Sequence, residues 1–132
     1  MGIEKVIEVG VAVKDLDEAI KLFTEVLGAK AGETMTFDAY GMKFAMCRIG
    51  GVDFELMAPT RPDGVIGKFI ETKGEGLHHI ALKTNNIEEQ WREFTEKGIK
   101  LIDKSPNVHE GHKFGFIHPK SFNGVMFEII QE

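Results

Sequence analysis

The sequence predicts an α+β fold. In this fold, two βαβββ repeats form a curled mixed sheet around a trough, with the helices on the outside. Two observations lead to this prediction. A strand–helix segment occurs twice, since Glu8 to Glu18 aligns with His79 to Glu89 without a gap. Apolar residues also alternate along short stretches and recur at helical spacing between them. The chain of 132 residues is long enough for a single domain with its own core.

Further matches extend the repeat along most of the chain. They occur in the same order in both halves, which makes chance a poor explanation. The matching segments are Phe23-Thr24-Glu25 with Phe94-Thr95-Glu96, Gly28 with Gly98, Gly41–Phe44 with Gly111–Phe114, and Gly51–Leu56 with Gly124–Ile129. We therefore expect one domain over residues 1–132, with repeat one at about 3–58, a connector at 59–75 and repeat two at about 76–131.

Repeat one is predicted to begin with a strand over 3–13. Asp15 is an expected N-cap, with Glu18 at capping-box spacing, and Gly28 ends the helix that follows. Three strands are predicted next, over 30–37, 42–49 and 52–57.

Repeat two is predicted to have the same order of elements. A short helix over 65–73 lies in the connector, and a strand over 77–84 follows it. Asn86, with Glu89 three residues later, is expected to cap a helix over 87–97 that stops at Gly98. Strands are predicted over 100–103, 112–118 and 125–130.

Composition narrows the possible partners. The formal net charge is −5 and the sequence has no basic stripe, which argues against nucleic acid. The single cysteine, Cys47, allows no internal disulfide and suits a reducing cytoplasm. No apolar run approaches the length of a membrane span. We expect a cytoplasmic protein with a small-molecule substrate.

Two adjacent histidines lie in the strand predicted over 77–84. Because strand side chains alternate, His78 shares a face with Ile80 and Leu82, which we expect to be the core-facing side. His79 shares the other face with Ala81, where small neighbours leave room around an imidazole. A single histidine in a strand is more often structural than a ligand.

Carboxylates share the inner face with His79. The alternation places Glu55 and Glu128 there, and Glu8 is the repeat equivalent of His79. Ionised carboxylates on a half-buried face are costly unless they are paired or bound to a cation. Glu8, Glu55, His79 and Glu128 therefore suggest a divalent metal site. The alternative is that they are rim residues in water.

Several stretches resemble the vicinal oxygen chelate superfamily of glyoxalase, bleomycin-resistance and extradiol dioxygenase proteins. They are Val11 to Ala19, Phe54 to Pro59, Gly74-Glu-Gly-Leu-His-His-Ile-Ala81, and His118-Pro-Lys-Ser121 leading to Gly124-Val-Met-Phe-Glu128. Within the superfamily the chain is most similar to methylmalonyl-CoA epimerases. The resemblance implies that Glu8, Glu55, His79 and Glu128 are the metal ligands. It also implies an acyl-CoA substrate, and we expect a homodimer.

Two positions depart from the pattern of that family. Its first ligand is usually histidine, whereas this chain has Glu8. Three carboxylates favour oxygen-preferring ions such as Mn²⁺, Mg²⁺, Co²⁺ or Fe²⁺, with Ni²⁺ and Zn²⁺ as further possibilities. The resemblance also leads us to expect a second catalytic carboxylate near Phe44. None is there, and Lys43 lies beside it.

The implied chemistry is proton transfer at a carbon beside a carbonyl. Such a transfer needs a base on one face of the substrate and an acid on the other. Glu128 is the first choice for one role, and Glu55, or else Glu8, for the other. The walls of the pocket are expected to include Phe44, Met46, Phe114, Phe116 and His118. The aromatic and methionine side chains could instead fill the core, and His118 could merely end its strand.

Other functions remain open at this stage. The preferred interpretation is a metal-dependent isomerase of the methylmalonyl-CoA epimerase kind. A lyase that acts on a hemithioacetal, as glyoxalase I does, is the second. The third is a binding protein of the bleomycin-resistance kind without enzymatic activity. His109 and His112 lie in a glycine-containing loop that could close over the trough, or they are surface residues.

Overall fold

The computed structural model describes residues 2–132, in which three α-helices and nine strands are found. The helices are α1 (Leu16–Glu25), α2 (Val65–Lys73) and α3 (Ile87–Glu96). The strands are β1 (Ile3–Ala12), β2 (Lys30–Ala31), β3 (Met35–Phe37), β4 (Met42–Ile49), β5 (Val52–Pro59), β6 (Gly76–Thr84), β7 (Asn107–His109), β8 (His112–Ile117) and β9 (Phe127–Gln131). No helix among the described residues combines the length and the apolar character needed to cross a membrane.

The chain divides into two compact units, and the first consists of residues 8–78. Its strands are ordered β2-β4-β5-β1, and β3 also pairs with β4. The β1–β5 ladder is parallel and the β4–β5 ladder is antiparallel. Helix α1 packs on one face of this sheet, where Leu16 and Leu56 are buried together. This is the outer face that the alternation of β5 predicts.

Helix α2 packs on the opposite face of the same sheet. Its Ile66 is fully buried against Ala12, Met42 and Met57. Met57 follows Glu55 on the inner face, so this apolar cluster begins one inward-facing position beyond that carboxylate. The helix over 65–73 was predicted, but its packing on the inner face was not.

The second unit consists of residues 2–7 and 79–132. Its strands are ordered β6-β9-β8-β7, with β6 and β9 parallel and the other two ladders antiparallel. Helix α3 packs on it through Ile87 and Trp91, which are buried with Ile117 and Ile129. Helices α1 and α3 thus each pack on the sheet of their own repeat. The assignment of the chain to a single domain stays a prediction.

Both predicted N-caps are confirmed. Asp15 Oδ1 accepts a hydrogen bond of 3.1 Å from the backbone N–H of Glu18 at the start of α1. Asn86 Oδ1 accepts a bond of the same length from the N–H of Glu89 at the start of α3. These carboxylate and amide oxygens satisfy N–H groups that have no partner within the helix. The equivalence of the two repeats therefore extends to the ends of their helices.

Three predicted strands need correction. The strand predicted over 30–37 is divided into β2 and β3, with Gly32 at the break. The strand predicted over 100–103 is reduced to a single bridge between Leu101 and Ile117. The last strand begins at Phe127 and not at Val125.

The segment predicted as a loop over 107–111 forms a hairpin instead. Strands β7 and β8 pair up to His109 and His112, and the two residues between them, Glu110 and Gly111, have φ values of 49° and 82°. Two consecutive positive φ values are typical of the tight turns that suit a twisted hairpin.

The two faces of β6 are also buried differently from the prediction. His79 is only 3% exposed and Ala81 is fully buried, whereas Ile80 and Leu82 are half-buried. The face with the small neighbours is therefore the more buried one. A small residue such as Ala81 allows closer packing there, and the room expected around the imidazole is not left open.

Candidate functional site

The first pair of candidate ligands lies in the first unit. Glu8 on β1 and Glu55 on β5 are both half-buried, and each offers a carboxylate oxygen within 4.8 Å of one from the other. Their strands are adjacent and parallel, with Gly10 directly opposite Glu55. Two carboxylates this close repel each other when both are ionised, and a cation between them would relieve that repulsion.

Asp53 shares the inner face with Glu55, but its carboxylate already forms an ion pair. Its Oδ2 atom accepts a hydrogen bond of 2.9 Å from the guanidinium of Arg48, which is directly opposite on β4. Arg48 thus compensates the charge of the third carboxylate on this face.

The second pair lies in the second unit and is more deeply buried. His79 on β6 is 3% exposed and Glu128 on β9 is 9% exposed. The Nε2 atom of His79 lies 3.1 Å from Oε1 of Glu128. Two ligand atoms of one cation are about 3 Å apart when both bonds are near 2.1 Å and roughly perpendicular. The spacing of this pair is therefore suitable for shared coordination.

The two pairs have the same strand geometry. In the first pair, Glu55 is directly opposite Gly10, which is two residues after Glu8. In the second pair, Glu128 is directly opposite Ala81, which is two residues after His79. This diagonal relationship follows from the parallel ladders of two equivalent repeats. It shows that the sequence alignment of Glu8 with His79, and of Glu55 with Glu128, corresponds to a structural equivalence.

The predicted pocket walls lie beside these pairs within their own units. Met46 is directly opposite Glu55 on β4, and Phe44 packs on the cluster formed with α2. Phe116 is directly opposite Glu128 on β8, and its ring lies edge-on to the His79 imidazole with centroids 5.7 Å apart. Phe114 is next to Phe116 on the same strand, with ring centroids 6.3 Å apart.

His118 has a structural role as the cap of a short 3₁₀ helix. Its Nδ1 atom accepts a hydrogen bond of 3.1 Å from the backbone N–H of Lys120. Desolvation, followed by the charges of Lys100 and Lys120, lowers the pKa of this imidazole, which favours the neutral form that the cap requires. The cap supports the alternative that His118 ends its strand. Its role in the pocket stays a prediction.

The remaining predictions concern residues away from the pairs. His109 and His112 are exposed at the tip of the β7–β8 hairpin. Cys47 is fully buried on the α1 side, and burial raises the pKa of its thiol, with a smaller contribution from Asp53. This thiol is therefore an unreactive core group.

Sequence reasoning missed two contacts near the histidines. Phe69 of α2 lies edge-on to the imidazole of His78, with centroids 4.8 Å apart. Asp103 accepts a hydrogen bond of 2.8 Å from the backbone N–H of Phe116. Each contact joins two different elements of the chain, so the periodicity within one helix or strand could not reveal it.

A family model for the glyoxalase, bleomycin resistance protein and dioxygenase superfamily matches residues 8–116 of the chain. The chain belongs to this superfamily. The match includes Glu8, Glu55 and His79 and stops before Glu128. Membership in the superfamily confirms the resemblance seen in the sequence motifs.

Two curated proteins are similar to this chain over most of its length. The uncharacterized protein YqjC of Bacillus subtilis is 33% identical, over 93% of this chain and 89% of its own. The mitochondrial methylmalonyl-CoA epimerase of Bos taurus is 30% identical, over 93% of this chain and 71% of its own.

Solved structures show the same relationship. A hypothetical protein from Bacillus halodurans C-125 has a TM-score of 0.92 and 32% identity, with 97% of this chain and 94% of that one covered. A variant of Streptomyces coelicolor methylmalonyl-CoA epimerase, in complex with 2-nitronate-propionyl-CoA, has a TM-score of 0.90 and 28% identity, with 98% and 95% covered. The predicted fold class is therefore confirmed: this mixed α+β chain has the fold of methylmalonyl-CoA epimerase.

Proposed function

We propose that this protein is a metal-dependent epimerase that moves a proton at a carbon beside a carbonyl, with an acyl-CoA such as methylmalonyl-CoA as its substrate. One observation carries the proposal. The pairs Glu8–Glu55 and His79–Glu128 occupy equivalent strand positions, and their four side chains are of the types that divalent cations prefer, which supports the proposal that they are the ligands.

The donor set fits a divalent ion. Carboxylate oxygens suit Mn²⁺, Mg²⁺, Co²⁺ and Fe²⁺, and a single imidazole is compatible with the transition metals among them. Within the first unit, Glu8 and Glu55 each offer a carboxylate oxygen within 4.8 Å of one from the other, which is close enough for one ion to bind both. When bound, the cation would polarise the substrate carbonyl and lower the cost of removing the neighbouring proton.

Glu128 is the proposed base on one side of the substrate. It is 9% exposed, and its Oε1 atom contacts Nε2 of His79 at 3.1 Å. Burial removes the water that would otherwise compete for the oxygens of this carboxylate. A carboxylate in such surroundings can take a proton from a carbon placed within about 3 Å of it.

Glu55 is the proposed group on the other side. It is half-buried, so its carboxylate has more freedom to exchange protons with solvent than Glu128 has. Epimerisation requires such a group, because the proton must return to the opposite face of the same carbon. Glu8 is the alternative for this role.

Relatives support the choice of substrate. The proteins at 30% and 28% identity that are named above are methylmalonyl-CoA epimerases. Another epimerase structure of this kind, with a TM-score of 0.89, is a complex with methylmalonyl-CoA and NH4+. The apolar walls near the pairs, including Phe116 and Met46, would suit the methyl-bearing end of such a substrate.

Deuterium incorporation tests this function directly. Methylmalonyl-CoA is incubated in heavy water with the purified protein loaded with Mn²⁺ or Co²⁺, and exchange at the α-carbon is followed by NMR. We expect exchange well above the rate without protein, and its loss after chelation. Exchange equal to that of the no-protein control would overturn the epimerase proposal and leave a metalloprotein of this fold with another substrate.

The proposal includes a homodimer in the cytoplasm. Leu22, Val26 and Leu27 at the end of α1 are 59%, 70% and 56% exposed, and a second copy could cover them. Sedimentation equilibrium of the purified protein would distinguish a dimer from a monomer.

A further inference from the structure

The edge of β8 beside His79 is completed by a side chain. The segment around Leu101 runs antiparallel to β8. In it, the backbone N–H of Ile102 donates a hydrogen bond of 3.0 Å to the Phe116 carbonyl. In a full strand, a carbonyl of the same segment would accept from the Phe116 N–H. Instead Oδ2 of Asp103 accepts that bond at 2.8 Å. Both backbone groups of Phe116 are therefore held by Ile102 and Asp103.

Asp103 is itself anchored to α3. Its carbonyl accepts a hydrogen bond of 2.9 Å from the indole Nε1 of Trp91, which is 4% exposed. The indole packs so closely on β8 that a Cβ added at Gly115 would lie 2.5 Å from its ring. Trp91 thus fixes both the position of Asp103 and the strand that carries Phe116.

Among residues 2–132, no such carboxylate contact is found at the equivalent position of the first repeat. There the N–H of Gly32 donates to the Met46 carbonyl at 2.8 Å, which matches the bond from Ile102 to Phe116. Glu33, which follows Gly32 as Asp103 follows Ile102, is exposed. The contact from Asp103 is therefore an addition specific to the repeat that carries the histidine ligand.

Phe116 connects this edge of the sheet with the candidate ligands His79 and Glu128. Its ring is nearly perpendicular to the His79 imidazole, at 85°, with centroids 5.7 Å apart. On its other side along the sheet it is in register with Glu128. An edge-on aromatic contact of this geometry constrains the plane of the imidazole. A displaced ring would therefore allow His79 to rotate away from its 3.1 Å contact with Glu128.

We propose that Asp103 is a positioning residue: through its hydrogen bond to Phe116 it sets the orientation of the His79 imidazole toward Glu128. Its effect on metal binding rests on the proposed function, whereas its effect on the imidazole does not. Outer groups that orient metal-binding histidines typically change metal affinity about 10- to 100-fold when they are removed. Because Asp103 acts on His79 through the Phe116 ring, we expect an effect at the lower end of that range.

Three variants separate positioning from general stability. Asp103→Ala removes the acceptor, while Asp103→Asn keeps an oxygen acceptor of the same shape. Ser121→Ala is the matched control, because Ser121 Oγ anchors the same edge segment through Lys100 at 2.9 and 3.1 Å without contacting Phe116. The measurements are the histidine ring resonances of the metal-free protein by ¹H–¹⁵N NMR, and the Mn²⁺ dissociation constant by titration.

Asp103→Ala should shift the ring resonances of His79 and weaken Mn²⁺ binding about tenfold. Asp103→Asn should restore both, and Ser121→Ala should change neither. Wild-type resonances and affinity in Asp103→Ala would overturn the proposal, and so would an equal loss in Ser121→Ala. If Asp103→Ala does not fold, Phe116→Leu replaces it, and unchanged His79 resonances in that variant would likewise overturn the proposal.

The outcome remains distinct from that of the proposed function. A wild-type protein that binds Mn²⁺ without exchanging substrate protons would contradict the epimerase and leave the positioning role standing. A wild-type protein that binds no Mn²⁺ would contradict the metal site. The His79 resonances of the metal-free variants would then decide the role of Asp103 on their own.

Discussion

The two repeats provide equivalent pairs of side chains in different chemical surroundings. Glu8 and Glu55 are both carboxylates and both half-buried, and the flexible side chain of Met46 lies opposite Glu55. His79 and Glu128 are a mixed pair, almost fully buried, with the rigid ring of Phe116 opposite Glu128. The strand geometry is shared, so the differences arise from side chains alone.

This contrast suggests a division of labour between the pairs. The buried His79–Glu128 pair is in contact at 3.1 Å, and its imidazole packs edge-on to the Phe116 ring, so we expect little reorganisation when it acts. The Glu8–Glu55 pair has the higher charge and more contact with solvent, so it should gain most from a bound cation. We expect the His79–Glu128 pair to set the geometry of the site and the Glu8–Glu55 pair to set its charge.

Replacing Glu128 with Gln should give the largest effect. It removes the proposed base while keeping the shape of the side chain, so proton exchange into methylmalonyl-CoA should fall about 10²- to 10⁴-fold. The measurement is deuterium incorporation with metal-loaded protein. Glu88→Gln is the control, since Glu88 is an exposed glutamate paired with Lys113. Equal exchange in Glu128→Gln and wild type would contradict the proposed roles of the two pairs, because the buried pair would then have no part in the chemistry.

Adding a methyl group at Gly115 should test how tightly the second unit is packed. The new Cβ would lie 2.5 Å from the Trp91 ring, and overpacking of this kind costs about 1–3 kcal/mol of unfolding free energy. Gly32→Ala in the first unit is the matched control, because its Cβ would be 3.6 Å from the nearest atom, at ordinary contact distance. Urea denaturation of the two variants measures the difference. A Gly115→Ala variant as stable as wild type would contradict tight packing around Trp91.

Glu8→His should make the first pair resemble the second. The substitution removes one negative charge and adds a nitrogen ligand, so Zn²⁺ or Ni²⁺ should gain affinity relative to Mn²⁺, by about tenfold. Competition titrations with the three ions give the ratio. An unchanged ratio would indicate that Glu8 contributes neither ligand nor charge to the site.

The smallest expected effect concerns His118, which contrasts with His79 as a histidine with a capping role. The pKa of His118 is lowered in the folded protein, so the unfolded chain binds the proton more readily. The stability that the cap contributes is therefore present above the pKa of the unfolded histidine, near 6.5, and declines as the pH falls below it. The melting temperature of wild type relative to His118→Ala should show a small advantage at pH 7.5 that decreases at pH 5.5. An advantage that grows at pH 5.5 would contradict the cap.

Strand alternation and the internal repeat were enough to predict most of the fold. Alternation and helical periodicity are local patterns, and they predicted β4 and α2 with their observed bounds. The capping residues Asp15 and Asn86 were also predicted correctly. The same alternation put Glu55 and Glu128 on the faces opposite α1 and α3.

The predictions that failed concern features that local sequence spacing does not reveal. The strand predicted over 100–103 has suitable residues, but the Asp103 side chain takes a position that a main-chain carbonyl would have occupied. The β7–β8 hairpin was missed because Glu110 is a rare residue at positive φ, so the turn lacks its usual sequence signal. The burial of His79 depends on neighbours distant in sequence, such as Phe116.

Metal content after purification, measured by elemental analysis, tests the central claim that both pairs serve one ion. Wild-type protein reconstituted with Mn²⁺ should hold about one ion per chain, and its melting temperature should fall on chelation because the ion binds only the folded state. Glu55→Ala and His79→Ala each remove a ligand from one pair, and both should lose most of the bound metal. Full metal content in His79→Ala would contradict the account, since a site that does not need the buried pair cannot be the one proposed here.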